Sequence, residues 1–541
     1  MAESTRLLQQ VPTVEEESRA RNINEVILAK ATNHSATQVL MKIKRIDSND
    51  LKRILVAEAF GSHLNKNNAK RIGLIPDVKN KRITYIGNAA LSCATMTIKS
   101  KKCARKVSKN QSRGTRNQRR LRIRVQESPS ISPGHRRETI LVSKAPPNSS
   151  PPRLNERKSN LNPRERVSEA LDHREPDRPP VDLGGAVSGI HNKAYSNLIR
   201  ALKLDLGVSV YARDAQQLAQ LDEVVLKKLC VDFRHVALRR VPGPGEIKPD
   251  VTGRPYFVDE WGIKWGRNPN YYDMIDHPLK DATIDDLENY NWPDPRNPQR
   301  FAGLREEVES LHYNTDYAIQ ADAFFGGIYE CAWWLRGFEA FTVDMYRRPE
   351  FAELLLDKIL KLYLKFYTEY LDLVGPYIQL MDYNDDIGMQ TGPLLSPTMF
   401  RKYLKPRYGE IFKLIRSKTK AKIFQHTCGA VHQLIPDLIE IGLDVLNPIQ
   451  PLASKMDIEG LKRDFGEKLC FHGGIDIQRL LPQGSATEVS TEVKRVAQTG
   501  GKGGGLILAG AHNIQADVPP ENIIAMFEAA GNINKTRTQK M

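Results

Sequence analysis

Cysteine is scarce. The six in 541 residues, Cys93, Cys103, Cys230, Cys331, Cys428 and Cys470, are scattered without the spacing of a disulfide framework. Such usage excludes a cross-linked secreted scaffold and points to a reducing, cytoplasmic setting with free thiols. A run of about 18 apolar residues is also missing, so no membrane-spanning segment is expected. The opening Met1–Thr5, leading into Glu15-Glu16-Glu17, has neither the apolar centre of a signal peptide nor the arginine-rich, acid-poor pattern of a transit peptide. Acidic residues nearly vanish from residues 101–160, which hold 17 Lys/Arg against 3 Asp/Glu. The remainder balances at 63 against 61, so the formal charge of +16 belongs mostly to that one stretch. The stretch has no aromatic to stack on bases, which argues against nucleic acid as a partner.

The chain is long enough for two or three folded units. Residues 22–100 read as a small mixed α/β unit. Helical periodicity covers Ile23–Leu40, an apolar run Ile54-Leu55-Val56-Ala57 follows, and Ile83-Thr84-Tyr85-Ile86 reads as a strand. Residues 101–160 lose apolar periodicity and fill with Arg, Ser, Pro and Asn. They read as a disordered basic linker, because so little apolar surface cannot offset the chain entropy of folding.

Order resumes at Leu161, where Asn162-Pro163 opens an amphipathic helix running through Leu171. Strand-like runs then alternate with helices: 317–320, 377–381, 422–425, 444–447, 469–472 and 505–509 between helical stretches such as Phe351–Leu373, Pro397–Ser417 and Val431–Ile441. Short strands separated by long helices imply parallel βαβ units, and this many of them favours a closed (β/α)8 TIM barrel over residues 161–535. An open Rossmann-type sheet is the alternative. It asks for a glycine-rich turn after an early strand, whereas Gly500–Gly505 precedes one.

Four of the apolar runs end in residues suited to chemistry: Asp385 and Asp386 after Met381, His426-Thr427-Cys428-Gly429 after Gln425, His472 and Asp476 after Phe471, and His512 after Ala509. In a β/α barrel all strand C-termini meet on one face, so these stretches converge. An extended backbone points residues two apart the same way, which lets His426 and Cys428 grip one metal ion. Two ligands do not close a tetrahedral site, and a half-buried cysteine after a strand is usually packing. Asp385 and Asp386 could equally be a polar loop. His472 could merely satisfy a backbone carbonyl beneath the Gly473-Gly474 turn.

The segments "RERVSEALDHREPDRPPVD", "DEWGIKW", "DYNDDIGMQTGPLLSPTMFRKYLKPR", "HTCGAVHQLIPDLIEIGLDVLNPIQ", "FHGGIDIQRLL" and "HNIQADVPPENIIAM" resemble the uroporphyrinogen decarboxylase (URO-D) superfamily over residues 162–532. That resemblance implies a β/α barrel and two branches, tetrapyrrole decarboxylases and zinc-dependent methyltransferases acting on methylated corrinoids. The decarboxylases carry an Arg-Gln-Ala-Gly-Arg motif after the first strand, where this chain has Val181-Asp182-Leu183-Gly184-Gly185-Ala186-Val187. The methyltransferases carry His-x-Cys and a later cysteine as zinc ligands. Here His426 and Cys428 match the pair and His512 stands at the later position. Histidine in place of cysteine keeps a zinc ligand but leaves the site less rich in thiolate.

The segment "ILVAEAFGSHLNKNNAKRIGLIPDVKNKRITYIGNAALSCA" resembles the C-terminal end of the reductive activators of corrinoid proteins, in the actin-like ATPase superfamily, and is too short to form a nucleotide cleft. Together the two resemblances imply a zinc-dependent methyltransferase or demethylase. Its co-substrate would be a methylcobamide or corrinoid protein, with a small-molecule methyl donor or acceptor. His426, Cys428 and His512 would hold Zn2+, while Asp385, Asp386 and Asp476 would serve as acid–base or pocket groups. The alternatives are a cofactor-free uroporphyrinogen decarboxylase using Asp385 or a neighbouring carboxylate, and a non-enzymatic corrinoid- or nucleic-acid-binding protein.

Overall fold

The computed structural model describes residues 161–531, except 210–214, 242, 244, 245, 252 and 269, together with the short strands 54–56 and 83–85. The chain divides into two units, residues 1–148 and 149–541. In the first unit β1 (Ile54–Val56) pairs in parallel with β2 (Ile83–Tyr85). Both fall within the expected apolar runs. The expected helix over 23–40 and the basic linker over 101–160 lie outside the described residues.

The second unit begins with the helix Pro163–Leu171. Asn162 accepts the Glu165 N–H at 2.9 Å while the Glu165 carboxylate accepts the Asn162 N–H at 3.0 Å. This reciprocal cap satisfies two of the donors a helix start leaves open. Pro163 fixes the first turn without forfeiting a hydrogen bond. Seven parallel strands follow, β3 (Phe233–Val236), β8 (Ala318–Ala321), β9 (Leu380–Asn384), β10 (Lys422–His426), β11 (Val445–Ile449), β12 (Cys470–Ile475) and β13 (Leu506–Gly510), each paired with the next. The segment around Val181 closes the ring. On one side Asp182 N–H donates to Leu508 O at 3.0 Å and Leu508 N–H to Pro180 O at 2.8 Å. On the other, Asp232 N–H donates to Val181 O at 2.9 Å. Eight segments thus form the barrel, with helices between them.

Between β3 and β8 the chain builds an antiparallel sheet of β4 (Lys248–Pro249), β5 (Pro255–Val258), β6 (Lys264–Arg267) and β7 (Tyr272–Asp276). The Asp259 carboxylate orders its central turn by accepting the Trp261 and Ile263 N–H groups and the Trp265 indole N–H.

Strand alternation explains the barrel interior. Phe233, Ala318, Leu380, Phe424, Val445, Cys470 and Ile507, one per strand, form a single apolar cluster with Val167 and Leu171 of the first helix. Their sequence neighbours Ile319, Met381, Ile423, Leu446, Phe471 and Leu508 belong to the other cluster, shared with the helices. The first helix therefore plugs one end of the barrel. Each large side chain so buried contributes about 1.5–3 kcal/mol. Two residues further along six of the seven strands the inward positions turn polar, at His235, Gln320, Asp382, His426, Asn447 and His472, all buried except the half-buried His235, while β13 has Ala509. The site stands on this polar layer.

Two helix expectations need correction. Pro397–Ser417 is two helices, Pro397–Tyr403 and Lys405–Lys418, because Pro406 has no N–H to continue the ladder. The helix expected over Val431–Ile441 is only Ile435–Glu440. Pro436 lies in its first turn, which suits proline, and a tight turn in which Leu434 N–H donates to Val431 O at 2.7 Å precedes it.

Candidate metal centre

β10 delivers His426 at its last residue, and Thr427 N–H prolongs the pairing by donating to Asn447 O at 2.7 Å. Cys428 N–H then donates to Asp386 Oδ1 at 2.7 Å, and Gly429 N–H to Gln450 Oε1 at 2.8 Å. Gly429 has φ +87°, and a Cβ there would lie 2.6 Å from the Gly388 and Met389 backbone, so this turn admits only glycine. β13 ends at Gly510, Ala511 N–H donates to Ile475 O at 2.7 Å, and His512 follows at the rim.

One ligand atom from each of His426, Cys428 and His512 lies within 4.8 Å of the other two. The Cys428 Sγ to His426 Nε2 separation is 3.5 Å, and the two imidazole rings meet edge to face with centroids 5.2 Å apart. Gln450 Nε2 donates to the thiol at 3.4 Å, and Asp386 Oδ1 stands 3.6 Å from His426 Nε2. Burial disfavours charge on the imidazoles. It lowers the pKa of His426, and together with the neighbouring His426 it lowers that of His512 to about 4. Burial, reinforced by Asp386 and Glu330, pushes the Cys428 thiol well above its ordinary value. Two neutral imidazoles and a thiol convergent on one point are a donor set that suits zinc, and three ligands leave one tetrahedral position for an exogenous group. These residues fit the ion.

The three aspartates have different surroundings. Asp386 lies beside the cluster, as described. Asp385 is fully buried and turned to the start of the helix Ile328–Arg336: Oδ2 accepts the Tyr329 N–H at 2.8 Å and the Tyr408 and Tyr383 hydroxyls at 2.7 and 3.1 Å, while Oδ1 accepts the Glu330 N–H at 2.8 Å. Burial outweighs these donors and raises its pKa to about 7. Gly327 permits the approach, since a Cβ there would lie 2.1 Å from the Asp385 side chain. Asp476 accepts the N–H groups of Gln478, Arg479 and Leu480 at 2.9–3.0 Å, which makes it a cap for the turn leading into Leu480–Gln483. Both carboxylates are occupied by backbone donors, a use that residue type and position alone do not reveal.

Further polar groups sit in or beside the interior layer. Asp182, one residue past the closing strand segment, accepts from His235 Nε2 at 2.9 Å, His472 Nε2 at 3.0 Å and Ser188 Oγ at 2.6 Å. Asp322 Oδ1 lies 2.8 Å from the other His235 nitrogen. Asn447 stands 2.7 Å from His472 Nδ1 and 2.5 Å from His426 Nδ1. His472 thus bonds Asp182 and Asn447, not the backbone carbonyl considered from its sequence. A readable signal existed: His235, Asn447 and His472 each stand two residues beyond an inward apolar residue, as His426 does. Glu330, whose carboxyl is pushed well up by burial and by Asp386 and Asp385, completes the surroundings.

Comparison with known proteins agrees with this architecture. Residues 266–533 match the family described as uroporphyrinogen decarboxylase (URO-D), and residues 16–118 match the C-terminal domain of RACo, the ASKHA domain. A uroporphyrinogen decarboxylase of Coxiella burnetii is 22% identical over 311 residues, covering 55% of this chain and 79% of that protein. The corrinoid activation enzyme RamQ of Eubacterium limosum is 33% identical over 81 residues, 15% of this chain and 14% of that one. Among solved structures, a methyltransferase from Methanosarcina mazei aligns over 69% of this chain and 99% of its own at 17% identity, with a TM-score of 0.47. The barrel unit is therefore similar to the uroporphyrinogen decarboxylase (URO-D) family over residues 266–533, and residues 16–118 are similar to the C-terminal ASKHA domain of RACo.

Proposed function

We propose that this protein is a zinc-dependent methyltransferase or demethylase component of corrinoid-linked methyl transfer. The observation that carries the reading is the convergence of His426, Cys428 and His512 within 4.8 Å at the C-terminal mouth of the barrel. The match to a corrinoid activation enzyme in the other unit supports a corrinoid as co-substrate, free or on a partner protein. Bound there, zinc would supply a Lewis acid that lowers the pKa of a coordinated substrate thiol and holds it towards a methyl donor. The chain's own groups do the rest. Burial keeps both imidazoles neutral and able to ligate. Gln450 and the Asp386–Cys428 backbone contact hold the thiol in place. Asp386 also offers a carboxylate that can accept a proton beside the cluster. Among the described residues no helix is long and apolar enough to cross a membrane.

A second reading, uroporphyrinogen decarboxylase, is favoured by the relatives of that name, whose lengths the chain spans to between 50% and 79%. Against it stands Asp385, the carboxylate that reading would use, which is taken up by the Tyr329 and Glu330 N–H groups and the Tyr383 and Tyr408 hydroxyls. Turnover separates the two. Metal-stripped and zinc-reloaded protein should be assayed for demethylation of methylcobalamin with a panel of thiols, and for decarboxylation of uroporphyrinogen. Zinc-dependent demethylation that disappears in His426→Ala supports methyl transfer; decarboxylation by the metal-free protein overturns it.

A further inference from the structure

We infer that Asp182, His472 and Asn447 are positioning residues that lock the His426 imidazole in the tautomer protonated on Nδ1, so that Nε2 faces Cys428 and His512 as a bare lone pair. The consequence for metal binding rests on the zinc reading above; the tautomer itself does not.

One chain of hydrogen bonds sets the direction. His235 has a carboxylate oxygen at each ring nitrogen, Asp182 at 2.9 Å and Asp322 at 2.8 Å, so both nitrogens carry protons. Burial would raise the Asp182 carboxyl, but the charge of His235 and the bonds from His235 and His472 hold it below the ordinary carboxylate range. An ionised carboxylate only accepts, so the proton between Asp182 Oδ2 and His472 Nε2 belongs to His472. At the other edge of that ring, Asn447 presents its amide nitrogen to His472 Nδ1 at 2.7 Å. An amide nitrogen only donates, so His472 Nδ1 is bare. This orientation leaves Asn447 Oδ1, an acceptor only, 2.5 Å from His426 Nδ1, which must carry the proton. The remaining nitrogen, Nε2, lies 3.5 Å from the Cys428 sulfur.

Every link has one donor and one acceptor, and the direction is set by the anion at the far end. Reversing it would require Asp182 to donate. Water cannot break the sequence, since Asp182, His472 and Asn447 are at most 1% exposed. Asp182 and His426 are 244 residues apart in the chain. The relay nevertheless spans only two intervening side chains, because two of the three strands between the closing segment and β10, β12 and β11, supply His472 and Asn447.

The test uses the full chain, metal-stripped and labelled with 15N-histidine. Ring tautomers are read by long-range 1H–15N correlation, with His426→Gln and His472→Gln assigning the signals. Zn2+ affinity is read separately by chelator competition. Wild type should show His426 protonated on Nδ1 and His472 on Nε2. Asp182→Asn should release the direction, moving His426 towards the Nε2-protonated form and weakening zinc about 10–100-fold. His472→Gln keeps a donor for Asp182 and an acceptor for Asn447, so it should retain both the His426 tautomer and the affinity within about threefold, where ordinary loss of an outer-shell partner costs about 10–100-fold. If Asp182→Asn fails to fold, Asn447→Leu, which changes no charge, decides by the same two readouts. An Nε2-protonated His426 in the wild type overturns the inference, as does an unchanged tautomer in Asp182→Asn or, where that variant does not fold, in Asn447→Leu. Absence of zinc uptake with the tautomers responding as expected instead sinks the zinc reading and leaves the relay standing.

Discussion

Replacing Asp385 by asparagine tests whether that carboxylate is structural or catalytic. Three donors converge on Oδ2, the Tyr329 N–H and the Tyr383 and Tyr408 hydroxyls, while Oδ1 receives the Glu330 N–H alone. An asparagine with its oxygen in the Oδ2 position keeps the three. Its amide nitrogen then faces the Glu330 N–H, donor against donor, in a fully buried place. The cost is one hydrogen bond to a charged group, about 1.5–3 kcal/mol, plus the desolvation of the stranded N–H, about 1–3 kcal/mol. Relaxation of the helix start offsets part of this, so we expect a net loss of about 2–4 kcal/mol. At roughly 2–4 °C per kcal/mol the unfolding midpoint should fall by several degrees, measured by calorimetry on zinc-free protein. Zinc affinity should stay within about threefold, well short of the 10–100-fold expected for a metal-supporting side chain. Wild-type stability combined with abolished turnover would refute the reasoning and return Asp385 to the reacting atoms.

Removing Asp232 should be costlier than a surface change, because its carboxylate joins Arg166 Nη1 at 2.7 Å, Arg178 Nη1 at 2.6 Å and the Val181 N–H at 2.8 Å where the barrel closes. Asp232→Ala leaves partly unpaired buried cations, and urea unfolding should register a loss of about 3–5 kcal/mol. Stability should also fall as the pH drops from about 6.5 towards 4. Burial lowers the folded-state pKa of His426 and His512, so the unfolded chain binds protons in that window that the native one does not; His512→Gln should flatten the slope. Zinc uptake at pH 7 should release about one proton, from the Cys428 thiol that burial holds protonated, with none from the already neutral imidazoles. Calorimetry in buffers of differing ionisation heat counts it, and a count of zero or two contradicts the assignment.

The barrel was legible because short strand-like runs separated by long helices leave few other folds, and six of its seven strands fall within a few residues of expectation, β3 having no counterpart among the expected runs. The helix breaks at Leu404 and before Ile435 were less so, although Pro406 and Pro436 mark both in the sequence. His426, Cys428 and His512 could be grouped because strand ends share one face of a barrel. Asp385 and Asp476 carried the same positional signal, yet their partners are backbone N–H groups: those of Tyr329 and Glu330 lie on a helix over 50 residues earlier, and those of Asp476 in a turn no alternation pattern describes. Asp182 escaped notice for a related reason. Its role exists only once the barrel closes and brings it against His235 and His472. The antiparallel sheet from Lys248 to Asp276 had no counterpart in the expected elements, its strands being only two to five residues long.

The most direct test of the metal centre is X-ray absorption on zinc-loaded protein, comparing wild type with His512→Cys. The wild type should show one sulfur and at least two nitrogen or oxygen neighbours, His512→Cys two sulfurs, and His512→Ala strongly reduced zinc retention. A wild-type shell without sulfur, or a His512→Cys shell identical to the wild type, contradicts this ligand set.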